Sequence, residues 1–595
     1  MTPTNNAAVA VPPAAPILRR LIIERFRGVQ SLTWHPNAGV NIILGGGDAG
    51  KTTILDAVGL LLSPTNTTVV SDTDYWQREY NSEFQIEGVF SFPSGSTIGQ
   101  QLNPSWPWEW DGKDPQVPKL AEDGSAASQD LVYRARVRGT TDMELVYELM
   151  QPDDRISSFS VGLRRSIGLV RLSGEDRNDR DLRLIQGSAL DRLLSDASLR
   201  SRLAEKMSGT DIGDVLKQEA KDALENLDGE FKKRALPHGL DLGIAGGQGF
   251  SIGALIGLTA KHQTVDLPLS SWGSGTRRLS ALAIAEQHKS AFPITLVDEV
   301  ERGLEPYRQR DLVKKLEEAA SQVFLTTHST SVLAATTKSS VWYVDAKGKI
   351  RPLGADKIAL FRKGQPETFL CRFAIVAEGA TEMGFVTYLL EKALGATLEQ
   401  FGIFVADGNG NENTLRLLQA LSEGGLAFGG FADNEGTYPD IWKGLLEKQG
   451  SLLFRWPSGC VEENVFAAIP ADKVVKLFED PDGLSGIRLR TMADRLGTTA
   501  KDLTTITTAA GDKLIAVMID AATGKVPDDK KEDKEEKKKF KNHQTSWFKS
   551  YLGGRELAEK MIALGAWPSL SPQILPFLNA VRGVVGLPAT TDLPS

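Results

Sequence analysis

One short motif near the amino terminus constrains the fold of this 595-residue chain more than any other feature. Residues 45–52 are GGGDAGKT, which matches the pattern G-x-x-x-x-G-K-[ST] and lies between an apolar segment typical of a strand and an apolar segment typical of a helix. In such a loop, backbone N–H groups and the helix N-terminus hold phosphate oxygens. The motif therefore predicts an α/β domain with an ATP site, in which Lys51 reaches the β- and γ-phosphates and Thr52 binds Mg²⁺.

Two later strands are predicted to complete this site. Residues 294–299, ITLVDE, indicate a buried strand that ends in two acids. Asp298 is expected to hold Mg²⁺ through water, and Glu299 is expected to polarise the attacking water as the base of ATP hydrolysis. His328 follows a further predicted strand, VFLTT, where it is expected to contact the γ-phosphate.

A Ser/Gly-rich turn precedes the Asp298 strand. Residues 269–279, LSSWGSGTRRL, are predicted to open a helix whose exposed N–H groups suit a second anion contact. The residues expected to contact ATP are Gly45, Gly50, Lys51, Thr52, Thr53, Ser271, Gly273, Ser274, Gly275, Asp298 and His328.

The second half of the chain carries a different set of acidic residues. Segments such as FAIVAE and LAFGGFAD predict a second, mostly parallel sheet, and acids follow its strands. Because the carboxyl ends of parallel strands converge on one crevice, these acids are expected to cluster. Oxygen ligands suit Mg²⁺ or Mn²⁺, and two such ions can clamp the attacking and leaving oxygens of a phosphodiester. The predicted metal ligands are Glu378, Glu382, Asp433, Glu435 and Glu462, with Thr52 and Asp298 serving Mg-ATP.

Composition narrows the class of protein. The chain has only two cysteines, so neither a disulfide framework nor a Cys-rich zinc site is expected. No basic n-region opens the sequence and no apolar run is long enough to span a bilayer, so a cytoplasmic protein that does not contact the membrane is expected. The net charge of −8 means that DNA binding requires a local basic surface or metal ions. Residues 1–16 are predicted to be a disordered leader.

The four motifs of the first half, in this order, resemble the ABC-type ATPase heads of SMC-like and OLD-family proteins. In that family the Ser/Gly turn is the signature motif, which completes the ATP site of a partner protomer. The resemblance implies a homodimer formed through residues 17–365, the ATPase domain, with a helical insertion at 175–236 as the dimerisation element. The alternative to dimerisation is that these helices pack only on their own domain.

The second half resembles the TOPRIM domain, because E-G-x-[ST]-E follows its first strand and D-x-E its third. Residues 371–595 are assigned to this domain, with a helical insertion at about 469–545. An ATPase head followed by TOPRIM is similar to the OLD (overcoming lysogenisation defect) nucleases, and the D-x-E variant and the segment WFKSYLGG are similar to the class 2, Gabija-like branch.

The resemblance implies an ATP-binding, metal-dependent DNA endonuclease of phage or plasmid defence. Glu378 and Asp433 would serve catalysis, Lys549 would assist at the phosphate, and a UvrD-type helicase would be a partner. Two alternatives remain open at this point. One is an ATP-gated DNA tether or sensor without nuclease activity, and the other is a TOPRIM topoisomerase or primase.

Overall fold

The computed structural model describes two units, Met1–Pro352 and Leu353–Ser595. The residues it describes are 15–47, 49–66, 68–92, 106–119, 130–172, 180–185, 188–194, 199, 202, 216–244, 256–287, 294–480 and 483–593. The predicted disordered leader, residues 1–16, lies outside them except for its last two residues. Asp48 of the P-loop motif also lies outside.

The first unit is built on two larger sheets and one smaller one. Its described strands are β1 (Ile17–Phe26), β2 (Val29–Trp34), β3 (Val40–Gly45), β4 (Phe84–Ser91), β5 (Trp108–Trp110), β6 (Pro115–Gln116), β7 (Leu131–Gly139), β8 (Leu145–Met150), β9 (Ile156–Ser158), β10 (Leu169–Leu172), β11 (Asp241–Ile244), β12 (Ile256–His262), β13 (Val265–Pro268), β14 (Ile294–Val297), β15 (Val323–Thr326), β16 (Ser340–Val344) and β17 (Ile350–Leu353). Its described helices are Lys51–Leu61, Val161–Ile167, Ala189–Leu194, Gln218–Lys233, Ser274–Glu286, Pro306–Glu318 and Thr330–Ala335.

One larger sheet has the order β2-β1-β4-β7-β5-β6, with β8 beside β7 and β9 beside β8, and its pairs are antiparallel. The other has the order β10-β14-β15-β3-β16-β17, in which β10 to β16 run parallel. The central strands β14 and β15 are buried along their whole length, as expected for a parallel sheet covered on both faces. Side chains of the helix Lys51–Leu61 share one apolar core with both sheets. The predicted α/β class is confirmed.

The predicted helical insertion, residues 175–236, is described only in part. Its described residues include the helices Ala189–Leu194 and Gln218–Lys233. In the second of these, Ala220, Leu224, Leu227 and Phe231 form a buried face at helical spacing. Dimerisation through this insertion stays a prediction.

The second unit contains a parallel sheet with the strand order β19-β18-β20-β21. Its described strands are β18 (Phe373–Ala377), β19 (Ile403–Asp407), β20 (Phe428–Ala432), β21 (Leu453–Arg455), β22 (Glu479–Asp480) and β23 (Gly483–Leu484). Its described helices are Ala355–Gly364, Ala380–Leu394, Asn411–Gly424, Pro439–Gln449, Val461–Ala468, Gly486–Leu496, Leu503–Ala510, Leu514–Ala522, Lys534–Asn542, Tyr551–Ala563 and Trp567–Val584. The segment predicted as a helical insertion, about 469–545, is mostly helical and also holds the short β22–β23 hairpin.

The boundary between the units falls earlier than the sequence suggests. The predicted ATPase domain extends to residue 365, whereas the first compact unit of the structure ends at Pro352 and the helix Ala355–Gly364 lies in the second unit. There Lys357 forms an ion pair with Glu423 at 2.7 Å. Among the described helices, none combines the length and apolarity that crossing a bilayer requires.

Candidate functional site

The P-loop lies at the carboxyl end of a central strand of the parallel sheet. Gly45 ends β3, and the helix beginning at Lys51 follows directly after Gly50. Lys51 is 8% exposed, and its ammonium donates to the carbonyls of Gly45 at 3.0 Å and Gly46 at 2.7 Å. The lysine is therefore held over the loop whose N–H groups are expected to bind phosphate. Thr53 is half-buried in the first turn of the helix.

The structure brings together the two residues predicted to hold Mg²⁺ with ATP. The Thr52 hydroxyl donates to the Asp298 carboxylate at 3.4 Å, although 246 residues separate them in sequence. Thr326, at the end of the neighbouring strand β15, donates to the same carboxylate oxygen at 2.6 Å. This proximity follows from the sheet order, since β14, β15 and β3 are parallel neighbours whose carboxyl ends share one edge.

Glu299, the predicted base of ATP hydrolysis, has an unusual backbone. Its φ is +47°, in the left-handed region that non-glycine residues seldom adopt. Its N–H donates to the Thr326 hydroxyl at 2.9 Å, and its carbonyl accepts from Arg278 at 2.9 Å. Both contacts hold the peptide in this conformation, and the carboxylate side chain remains 48% exposed. A strained backbone fixed from two sides is typical of functional positions.

His328 lies at the same edge of the sheet, two residues after the end of β15. Its side chain is exposed, and its backbone N–H donates to the Glu301 carboxylate at 2.7 Å. The Thr327 hydroxyl donates to the other oxygen of Glu301 at 2.7 Å. Glu301 thus holds the turn that carries His328, a role that its place in the sequence does not suggest.

The Ser/Gly turn opens the helix Ser274–Glu286, as predicted. Ser271 and Gly273 are exposed, and no atom lies within 4 Å of the position that a Cβ on Gly273 would take. A Cβ on Gly275, by contrast, would lie 2.0 Å from the Gly303 carbonyl oxygen, so the helix start packs tightly on the loop after Asp298. Ser274 is half-buried at this junction.

Arg278 of the same helix fixes the backbone of the loop that begins at Asp298. Its guanidinium donates to the carbonyls of Asp298 at 2.7 Å and of Glu299 and Arg302 at 2.9 Å each. Burial lowers the pKa of this guanidinium, although nearby carboxylates act in the opposite direction. The sequence pattern includes Arg278 but gives no sign of this role.

Residues 40–334 match the family model described as "AAA domain, putative AbiEii toxin, Type IV TA system". This part of the chain is an AAA-type ATPase domain. The ATPase domain accordingly uses ATP, and its P-loop, Asp298 loop and His328 turn all lie within the matched residues.

The chain is also similar to a curated protein and to solved structures. The DNA replication and repair protein RecF of Teredinibacter turnerae is 46% identical over 46 residues, which are 8% of this chain and 12% of the relative. A solved SmcHead bound to the C-winged helix domain of ScpA is 16% identical, with a TM-score of 0.37 over 58% of this chain and 99% of that one. A recombination mediator protein RecF–ATPrS is 14% identical, with a TM-score of 0.36 over 58% and 100%.

The second unit gathers the predicted acidic residues at the carboxyl edge of its parallel sheet. Glu378 directly follows β18, Asp433 directly follows β20, and Glu462 lies in the first turn of the helix that begins at Val461, after β21. Glu382 lies in the first turn of the helix Ala380–Leu394. All four side chains are buried: Glu462 is 0% exposed, Glu382 4%, and Glu378 and Asp433 7% each.

Backbone N–H groups hold two of these carboxylates in place. Glu378 accepts from the Asp433 N–H at 3.1 Å, and Asp433 accepts from the Val461 N–H at 3.2 Å. Arg455 reaches the site from β21 and donates to the Asp433 carbonyl at 3.2 Å. Hydrogen bonds to Glu378 and Asp433 therefore connect the ends of β18 and β20 to each other and to the helix that begins at Val461.

Lys549 enters the cluster from a distant part of the chain. Its ammonium lies 3.0 Å from a Glu462 carboxylate oxygen, and its side chain is 30% exposed. Burial opposes its charged form, but the carboxylates of Glu462 and Glu382 more than offset this, so the pKa of Lys549 is raised. The structure thus brings the candidate lysine to the predicted acids.

Burial also raises the pKa values of three of these acids. Burial and the Glu462 carboxylate raise the pKa of Glu382, while Lys549 partly counteracts them. Burial and the neighbouring carboxylates raise the pKa of Asp433 still further, and burial together with Glu435 raises that of Glu378. One ammonium does not neutralise four buried carboxylates, so the site favours an additional positive charge.

Glu435 and Glu463 lie outside the buried cluster. Glu435 is exposed at the rim and acts on Glu378 only through its charge, so its ligand role stays a prediction. Glu463 is half-buried and accepts from the Cys460 N–H at 3.0 Å, which caps the helix that begins at Val461. Asp407 accepts from the Asn409 N–H at 2.8 Å, which makes residues 407–410 a hydrogen-bonded turn.

The donor atoms of the cluster fit a divalent cation chemically. The buried atoms Oε1 of Glu382 and Oε2 of Glu462 have no hydrogen-bond partner, and a buried carboxylate oxygen without a partner is costly. Carboxylate oxygens are the ligands that Mg²⁺ and Mn²⁺ prefer. Within the described residues, no three side chains of His, Cys, Asp or Glu already stand in a ligating arrangement. Holding an ion therefore requires the carboxylates to close around it.

Proposed function

We propose that the chain is an ATP-controlled, divalent-metal-dependent DNA endonuclease. The observation that carries the proposal is the buried cluster of Glu378, Glu382, Asp433 and Glu462 with one lysine beside it. Such a concentration of buried acids costs stability in a merely structural role, because charges are seldom buried unless they are paired or bind a metal. The resemblance to the OLD nucleases agrees with it.

The proposed mechanism assigns separate tasks to the acids and to the lysine. Glu378, Glu382, Asp433 and Glu462 would hold Mg²⁺ or Mn²⁺, which stabilises the attacking and leaving oxygens of a phosphodiester when two ions are bound. Lys549 would donate a hydrogen bond to a phosphate oxygen, since its ammonium lies at the cluster and its side chain is partly open to solvent. The backbone N–H groups of Asp433 and Val461 would keep the carboxylates oriented.

ATP would control the conformation rather than drive the cleavage, because hydrolysis of a phosphodiester needs no external energy. Thr52 and Asp298 would hold its Mg²⁺, and Glu299 would activate the water that hydrolyses it. The exposed Ser271 and Gly273 would meet the nucleotide of a second protomer, giving a homodimer. DNA as substrate, a helicase partner and a role in phage or plasmid defence are part of the proposal through the family resemblance alone.

A gel assay on supercoiled plasmid tests the nuclease, with two adjacent acids as a matched pair. Glu462→Gln removes a charge from the buried cluster, whereas Glu463→Gln removes one that only caps the helix. Wild type and Glu463→Gln should produce nicked or linear plasmid with Mg²⁺ or Mn²⁺ and none with EDTA. Glu462→Gln should cut at least about 10²-fold more slowly, as expected when a metal site is lost.

Two other results would contradict the proposal. Relaxed but covalently closed circles would indicate a topoisomerase. Plasmid that stays supercoiled with either metal, with or without ATP, would favour an ATP-gated tether whose acids have a structural role.

A further inference from the structure

Lys549 is held in place by a network that reaches into the helical segment between residues 469 and 545. The centre of this network is Arg488, which is 4% exposed in the helix Gly486–Leu496. Its guanidinium forms two hydrogen bonds with the Glu556 carboxylate, at 3.0 and 2.9 Å. A buried arginine paired in this bidentate way is fixed in both position and orientation.

Arg488 contacts the residues immediately before Lys549. It lies 4.6 Å from the ring centroid of Phe548 and 5.8 Å from that of Trp547, within the range of cation–π attraction. It also donates to the Ser546 carbonyl at 3.4 Å. The same helix holds Trp547 a second time, because the indole N–H donates to the Thr491 hydroxyl at 3.0 Å.

The other side of this segment is tied to the helix that carries Glu382. The Thr381 hydroxyl donates to the Phe548 carbonyl at 3.1 Å, and Phe548 is fully buried. Ser550 then caps the next helix by accepting from the Gly553 N–H at 3.0 Å. The backbone on both sides of Lys549 is therefore fixed. This fixes the position of its Cα, from which the side chain extends to Glu462.

We infer that Arg488 is a positioning residue, which fixes residues 546–548 so that the Lys549 ammonium lies in the carboxylate cluster. The inference rests on the proposed nuclease function for its catalytic consequence, but the geometric part stands without it. It gives the helical segment a task at the site: without Arg488, the Lys549 loop would lose its contacts with three aromatic and backbone groups at once. Errors of about 1 Å at such a group can cost on the order of 10²-fold in rate.

The test compares Arg488→Met with Arg495→Met in the full-length chain. Arg495 lies on the same helix and also contacts carbonyls and a ring, but its partners are Lys525, Phe540 and their segment rather than residues 546–549. Glu556→Gln serves as a milder variant in case Arg488→Met fails to fold, and Arg488→Lys tests for partial rescue.

The first readout does not depend on nuclease activity. The acetylation rate of Lys549 by acetic anhydride is measured by mass spectrometry, relative to that of the exposed Lys443. The ratio should rise about tenfold in Arg488→Met and several-fold in Glu556→Gln, because the ammonium leaves its partner Glu462. It should stay within about twofold in Arg495→Met.

The second readout is the kinetics of plasmid cleavage. Arg488→Met should lower kcat by about 10- to 100-fold with a nearly unchanged KM, Arg488→Lys should lie between it and wild type, and Arg495→Met should stay within about threefold. An unchanged acetylation ratio in both Arg488→Met and Glu556→Gln would overturn the inference. If wild type cuts no plasmid, the proposed function fails, while the acetylation ratio still decides whether Arg488 positions Lys549.

Discussion

Two glycines set the distance between the helix that carries Glu382 and the helix that follows Lys549. A Cβ on Gly384 would lie 1.9 Å from the Tyr551 carbonyl oxygen, and one on Gly554 would lie 2.0 Å from the Thr381 carbonyl oxygen. Gly384→Ala should therefore force the helices apart. Restoring an ordinary contact of 3.4 Å requires a shift of about 1.5 Å, since the carbonyl is backbone and cannot rotate away.

The free energy follows from two opposing effects. Alanine is better than glycine in a helix interior by about 1 kcal/mol, whereas overpacking costs about 1–3 kcal/mol or more, and a backbone clash lies at the upper end. Gly384→Ala should thus lower the free energy of unfolding by about 2 kcal/mol. Gly444→Ala is the matched control, because Gly444 is also inside a helix but has no atom within 4 Å of a Cβ, so it should gain up to about 1 kcal/mol.

Urea unfolding of the full chain, followed by circular dichroism, measures the difference of about 3 kcal/mol between the two variants. Gly384→Ala should also cut plasmid more slowly, because the shift separates Lys549 from the acids. Equal stability of Gly384→Ala and Gly444→Ala would refute the close packing from which this reasoning starts.

Three further predictions concern the ATP site, a buried histidine and the lysine of the cluster. Lys51→Ala should abolish binding of a fluorescent ATP analogue, whereas Glu299→Gln should bind it and hydrolyse ATP on the order of 10²-fold more slowly; normal hydrolysis would show that another group is the base. Burial lowers the pKa of His543 to about 4, with Arg495 acting in the same direction and Asp494 against it. Its contribution to stability is therefore complete above about pH 6.5 and is lost as the pH falls towards 4, by about 2 kcal/mol at pH 5. The free energy of unfolding, measured by urea denaturation at pH 7.5 and 5.0, should show this loss in wild type but not in His543→Gln. An equal pH dependence of the two proteins would contradict the role of His543. Lys549→Met should bind Mn²⁺ about tenfold more tightly, because it removes the positive charge 3.0 Å from Glu462, and it should cut DNA more slowly. Weaker Mn²⁺ binding by this variant would contradict the idea that Lys549 neutralises the carboxylates in place of a metal ion.

Local patterns predicted the two α/β units and the positions of many residues of both candidate sites along their strands and helices. The P-loop lies between a strand and a helix as expected, and strand ends carry Asp298, Glu378 and Asp433 to the edges of parallel sheets. These features are predictable because a parallel sheet aligns the carboxyl ends of its strands, whatever the connections between them.

Residues that act across long sequence distances were not predictable in the same way. Arg278 and Arg488 bind backbone carbonyls and an acid that only the folded chain brings near them. Gly384 gives no local signal, since its importance comes from a carbonyl 167 positions later along the chain, on Tyr551. Glu435 fits the sequence motif as well as Asp433 does, but the turn after β20 leaves it exposed.

The central claim is that the buried carboxylates of the second unit bind divalent metal. Equilibrium Mn²⁺ binding, followed without nucleotide by the electron paramagnetic resonance signal of the free ion, tests this claim without any assumption about the substrate. Wild type and Glu463→Gln should bind Mn²⁺ saturably, with about two ions per chain, and Glu462→Gln should bind at least tenfold more weakly. Indistinguishable Mn²⁺ binding by all three proteins, or none by wild type, would contradict the account.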